Sequence, residues 1–133
     1  MATKATDTKN FKVSEFACKH CGENEIDQRV VNMAQTIRDE AGVPVRINSG
    51  YRCPVHNASP TVKGAKNSKH ILGLAADLSC SIGAFDLLLA IHKLYVLGKL
   101  PDLDYCIFYP FKNVCHIDCG GKRGKVFAID TGR

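Results

Sequence analysis

Apolar side chains first recur with helical spacing at Ile26, Val30, Met33, Ala34, Ile37 and Ala41. Steps of three and four put them on one face of an amphipathic helix, closed by Gly42 and Pro44, with Asn24 as the expected N-cap. Residues 45–48 then alternate apolar and polar, the pattern of a half-buried strand, and stop at Ser49-Gly50. Residues 51–69 hold no periodicity, and Pro54, Pro60 and Gly64 stand among small polar residues. A loop of that length inside a compact domain is usually functional. Residues 74–78 are apolar apart from Asp77 and predict a short strand entering the core. A second helix is predicted over 82–97, capped by Ser81, with Ile82, Phe85, Leu88, Leu89, His92, Tyr95 and Val96 on one broad stripe. On that stripe His92 reads as a core histidine. Residues 105–109 and 114–117 predict an antiparallel hairpin around 110–113, and 125–129 a last strand. Two main helices and a few short strands, segregated rather than alternating, predict an α+β fold with a small antiparallel sheet.

The chain has 133 residues, 45% hydrophobic and 23% charged, which fits one domain over 11–133 behind a flexible polar lead-in at 1–10. No apolar run approaches the roughly 18 residues that a membrane span needs. The first ten residues lack the hydrophobic stretch of a secretory signal, so synthesis in the cytosol is expected, with any action on a cell wall following release. A net charge of +5 permits a polyanionic partner. Yet Lys63, Lys66 and Lys69 lie among glycine and serine, and Lys122-Arg123-Gly124-Lys125 reads as a turn. Neither carries the aromatic platform of a single-strand binder, so no nucleic-acid partner is expected. Seven cysteines without a leader predict free thiols in a reducing compartment. Cys18-Lys19-His20-Cys21 has the spacing of half a zinc knuckle, but no second pair follows, and buried or neighbouring thiols are the simpler reading.

The chemistry concentrates in Ser68-Lys69-His70-Ile71-Leu72-Gly73-Leu74-Ala75-Ala76-Asp77 together with His116. One imidazole, one carboxylate seven positions on and a second imidazole make three ligands for Zn²⁺ and leave a position open for water, the arrangement of a catalytic zinc. A zinc-bound water ionises near neutral pH and supplies a hydroxide for attack on an amide carbonyl. A carboxylate such as Asp77 inside an apolar strand otherwise costs several kcal/mol without a partner. Gly73 permits a tight turn between His70 and the strand. Ser68 either hydrogen-bonds a ligand or caps that turn. In Val114-Cys115-His116-Ile117-Asp118, strand alternation sends His116 and Asp118 to one cleft and Cys115 and Ile117 to the core.

At these residues the chain resembles the M15 peptidases, the family of zinc D-alanyl-D-alanine carboxypeptidases and phage endolysins. The likeness runs over about 11–120: Phe16-Ala17-Cys18, Ser49-Gly50-Tyr51-Arg52, Ser68-x-His70-x-x-Gly73-x-Ala75-x-Asp77 and Cys115-His116-Ile117-Asp118. The resemblance implies a Hedgehog/D-Ala-D-Ala-peptidase-like fold and a monomer with Zn²⁺ on His70, Asp77 and His116. It also implies hydrolysis of peptidoglycan stem peptides, by a carboxypeptidase or an endolysin-type endopeptidase. It places Arg52 in the cleft, where a guanidinium holds a substrate carboxylate or an oxyanion. Ser68 and Tyr51 are further substrate-side candidates, Tyr51 equally a core residue. One departure stands out. Many members carry a glutamate as general base three residues before the last histidine, where this chain has Asn113; others use His-x-His, where it has Val114. Asp118 is then the first candidate base, ahead of Asp104 and His56. The alternative is a non-catalytic, zinc-containing cell-wall-binding module of the same fold.

Overall fold

The computed structural model describes every residue except 1, 2, 61, 63, 65–67, 123 and 133. Lys63 and Lys66 of the long loop and Arg123 of the basic turn therefore lie outside the described residues. Three helices, α1 (Gln28–Ala41), α2 (Pro54–Asn57) and α3 (Ala84–Val96), accompany five strands among the described residues. The strands are β1 (Val45–Ser49), β2 (Ala75–Cys80), β3 (Tyr105–Tyr109), β4 (Val114–Asp118) and β5 (Phe127–Ile129). They form one sheet in the order β1-β2-β4-β3-β5. The α+β expectation holds. Its sheet is antiparallel except for β5, which runs parallel to β3 and makes it mixed. No helix among the described residues is long and apolar enough to cross a membrane.

Helix α1 starts one turn later than Asn24 would place it. Asp27 is the cap: its carboxylate accepts from the Arg29 amide at 2.9 Å. Asn24 instead closes a local turn, accepting from the Ile26 amide at 3.1 Å and donating to the Val13 carbonyl at 2.9 Å. Gly42 ends the helix in the left-handed region, as its sequence position predicts. Residues 3–10 lie along α1, where Gln35 accepts from the Asn10 amide at 2.7 Å and Gln28 from the Thr6 amide at 2.6 Å.

Helix α3 buries a different stripe from the one the pattern predicts. Ala84, Leu87, Ile91 and Leu94 face the core, whereas Phe85, Leu89 and Val96 are exposed. His92 is exposed too, its ring 5.1 Å from Phe127, so it is no core histidine. The helix is apolar nearly all round, and helical spacing alone cannot choose between its faces. Ser81 does not cap it; Asn113 does, from the β3–β4 turn, accepting from the Ala84 amide at 2.8 Å.

Alternation along the strands divides the sheet into two faces. Val45, Ile47, Ala76, Leu78, Cys106, Cys115 and Ile117 join Val30, Val31, Ile37, Leu87 and Ile91 in the core. Each large apolar side chain sealed there contributes about 1.5–3 kcal/mol. Asp77 and His116 stand directly opposite each other in the β2–β4 pairing and so project from the other face. The core face fixes the register, and the register brings these two side chains together.

Candidate metal centre and active site

His70 reaches the open face of the sheet from a single 3₁₀ turn, Lys69–Leu72, whose shape follows from its two ends. Ser68 caps the start, its hydroxyl accepting from the His70 amide at 3.2 Å. Of the two readings for Ser68, the structure therefore displays the turn cap. Gly73 ends the turn at φ 72°, and its carbonyl accepts from the Asp27 amide at 2.8 Å. A Cβ at Gly73 would stand 1.9 Å from the Glu25 carbonyl oxygen, so only glycine fits. The following residues enter β2 and deliver Asp77. A chain bond from the Arg52 amide to the His70 carbonyl, 3.1 Å, ties the turn to the segment after β1.

His70, Asp77 and His116 converge, with one ligand atom of each lying within 4.8 Å of the others. His70 Nε2 is 3.3 Å and His116 Nδ1 is 3.1 Å from Asp77 Oδ1. Tetrahedral zinc with bonds near 2.0–2.2 Å to nitrogen and oxygen would set such ligand atoms about 3.4 Å apart. Both observed separations sit close to that edge.

What stands behind each ligand fixes which atom faces the centre. His70 Nδ1 is 2.7 Å from the Gly50 carbonyl, which only accepts, so that nitrogen carries the proton and Nε2 presents a lone pair. Gly50 reaches this position because the chain at Phe16 runs against it; a Cβ there would stand 2.5 Å from the Phe16 carbonyl oxygen. His116 Nε2 is 2.7 Å from Asp118 Oδ2, leaving Nδ1 toward Asp77. Asp77 divides its two oxygens. Oδ2 accepts from Arg52 Nη2 at 3.1 Å, and Oδ1 is the atom shared with both rings. Two lone pairs and a carboxylate oxygen aimed at one point repel unless a cation or a ring proton stands among them, and a metal ion meets that condition.

Without a cation, ring protons would take its place. Burial alone would raise the pKa of Asp77, but hydrogen bonds from His116 and His70 and the charges of both rings overcome it and hold the carboxyl well below the usual range. For His116, burial favours the neutral ring, yet Asp118 and Asp77 lift its pKa to about 9. Burial, followed by the charge of Asp77, raises the Tyr109 phenol, which stays protonated within the field of the cluster.

Several candidates occupy places other than those expected. Arg52 stands at the site but is committed: Nε donates to Ser49 at 3.0 Å, Nη1 to Asn57 at 3.0 Å and Nη2 to Asp77. Tyr51 does not line the cleft; it is buried with Cys18 and Cys53, its phenol beside Glu25. Asp118 shares the face of His116, as alternation predicts, but has no exposed surface. That corrects its expected position in the cleft, because the residue stands behind the ring. Asp104 faces away, accepting from the Gly121 amide at 2.7 Å, and His56 stacks on His20 with centroids 5.8 Å apart. The Gly50 carbonyl, Asn57 and Tyr109 also serve the cluster; Gly50 shows in the sequence only as part of the Ser49–Arg52 motif, and the other two only as side-chain types.

No curated protein matches the chain. The family model described as Peptidase M15 matches residues 9–118, a span holding every residue of the convergent cluster. With most of its length inside that match, the chain belongs to the M15 peptidases, a family whose members are typically metal-dependent.

Proposed function

We propose that this M15 peptidase is a zinc enzyme that hydrolyses peptide bonds in peptidoglycan stem peptides. The observation that carries the metal assignment is the cluster itself: His70 Nε2, Asp77 Oδ1 and His116 Nδ1 face one point while every other polar atom of these side chains is already engaged. Bound there, Zn²⁺ would supply Lewis-acid polarisation of the scissile carbonyl and an acidified water. The substrate class rests on the family and on the resemblance to its cell-wall peptidases.

The chain's own residues then divide the work. The Gly50 carbonyl, Arg52 and Asp118 are positioning groups, each holding one ligand in the orientation the metal needs. The Arg52 fork, spent on Ser49, Asn57 and Asp77, acts on the ligand carboxylate before it acts on substrate. Asp118, sealed from solvent and bonded to His116, has no open path to a proton on water or substrate, so it orients the ring. Tyr109, protonated and near Asp77, offers a donor to the carbonyl oxygen as negative charge develops on it.

The test is incubation with defined muropeptides and mass spectrometry of the products, with and without a chelator. Cleavage that chelation abolishes and Zn²⁺ restores is the expected result, and the product masses name the bond. Persistent cleavage by a metal-free preparation would refute the mechanism. A second reading, a zinc-containing wall-binding module without turnover, is favoured by Asn113, whose amide caps α3 where many relatives carry a base. Peptidoglycan binding with no product from any muropeptide would select it.

A further inference from the structure

The half-knuckle Cys18-Lys19-His20-Cys21 is completed from elsewhere in the chain. Cys53, thirty-five positions on from Cys18, brings its thiol to the same point, and the three sulfur atoms all lie within 4.8 Å of one another. All three are free thiols. His20 Nδ1 is 3.6 Å from Cys53 Sγ. Tetrahedral zinc, with Zn–S near 2.3 Å and Zn–N near 2.0–2.1 Å, would separate a sulfur and a nitrogen ligand by about 3.6 Å. We infer that Cys18, Cys21 and Cys53 form a second, structural zinc site distinct from the peptidase centre, with His20, which approaches Cys53 alone, the candidate to swing in as fourth ligand.

Three further features favour a metal. The turn has the build of a knuckle: Gly22, directly after the second cysteine, sits at φ 78° and its amide donates to the Cys18 carbonyl at 2.9 Å. Backbone amides already point at two of the sulfurs, Cys53 to Cys18 Sγ and His56 to Cys53 Sγ, each at 3.4 Å. Such N–H groups stabilise thiolates and orient metal ligands. Finally, three converging thiols need one more ligand to close the shell of a structural zinc, and His20 Nδ1 stands 3.6 Å from one of them. Binding would release the thiol protons and clip the segment around the first 3₁₀ turn, Val13–Phe16, to the loop after β1. That loop supplies the Gly50 carbonyl to His70 and Arg52 to Asp77, so the clip would brace the peptidase centre from outside.

The test uses the full chain, purified under reducing conditions, with two readouts. Zinc content by mass spectrometry should be two ions per chain, falling to one in Cys21→Ser and also in His70→Ala. Cobalt substitution separates the sites: thiolate-to-cobalt charge transfer should appear in the parent, persist in His70→Ala and vanish in Cys21→Ser. Cys21 is exposed, so its substitution leaves the core intact. His20→Ala should keep the thiolate band and shift the ligand-field bands; an unchanged spectrum removes His20 from the shell. A parent protein with no thiolate-to-cobalt band, or one whose alkylated mass reveals a disulfide among these cysteines under the same conditions, overturns the proposal.

Discussion

The imidazole of His116 rests its Nε2 2.7 Å from the carboxylate of Asp118, a side chain with no exposed surface two positions further along the same strand. A strand repeats its facing every second residue, so this spacing sets the two groups side by side on one face. The carboxylate then fixes the tautomer and leaves Nδ1 to the centre. Replacing Asp118 should therefore act through the metal. Asp118→Asn, close in shape, should weaken zinc affinity about tenfold to a hundredfold, measured by competition with a chromogenic chelator. Saturating zinc should recover much of the turnover. If Asp118→Asn holds zinc like the parent but loses turnover altogether, Asp118 is the base after all.

Arg52 supports the other side of the cluster. Its three nitrogens reach three different partners in a planar fork, which a lysine ammonium cannot reproduce. Arg52→Lys should then behave more like Arg52→Ala than like the parent, with lowered zinc affinity in both. An arginine that serves only substrate would show instead a raised KM and unaltered zinc binding.

The candidate centre was legible in the chain because two short motifs carry its ligands and β4 alternates cleanly, Cys115 and Ile117 inward, His116 and Asp118 outward. What stood behind the ligands was not. Whether Asp118 lines a cleft or closes against a ring depends on what covers it, and no spacing rule contains that. The same limit explains α3, where apolar residues surround the helix and only tertiary packing selects the Leu87–Ile91 side. It explains the thiols as well: Cys53 looks solitary until the loop after β1 folds back onto the knuckle. Residues 125–129 read as a strand, but the parallel pairing of β5 with β3 depends on the path of the intervening chain.

Two glycines with nearly the same backbone conformation separate strain from crowding. Gly42 and Gly73 sit at φ 71° and 72°, but a Cβ meets nothing within 4 Å at the first and the Glu25 carbonyl at 1.9 Å at the second. Gly42→Ala should cost about 1–2 kcal/mol, the left-handed penalty alone. Gly73→Ala adds overpacking of about 1–3 kcal/mol and should cost about 3 kcal/mol or more in chemical denaturation. It should also disturb zinc binding, because the His70 turn must shift. Equal losses at the two positions would show that the turn yields freely.

Asp27 gives the fold a defined acid response. Its hydrogen bond with Arg29 lowers the carboxyl pKa below the ordinary 3.8, against a smaller opposing effect of burial. A carboxyl with a depressed folded-state pKa contributes stability that is fully present above the unfolded value and lost as pH falls through the folded one. Asp27→Asn should thus destabilise the protein at pH 7, and the gap from the parent should close below about pH 4. Denaturation at a series of pH values checks the sign, and a gap that widens on acidification would contradict it.

Tyr109 separates catalysis from metal binding. Its phenol feels the Asp77 charge and stays protonated, while its ring carries Lys112 Nζ at 5.0 Å from the centroid. Tyr109→Phe keeps the ring and removes only the donor. If that donor meets the carbonyl oxygen mainly in the transition state, kcat should fall by roughly 10²-fold with KM and zinc content little changed. A rise in KM alone would assign the hydroxyl to ground-state binding, and loss of zinc would place it among the groups that hold Asp77.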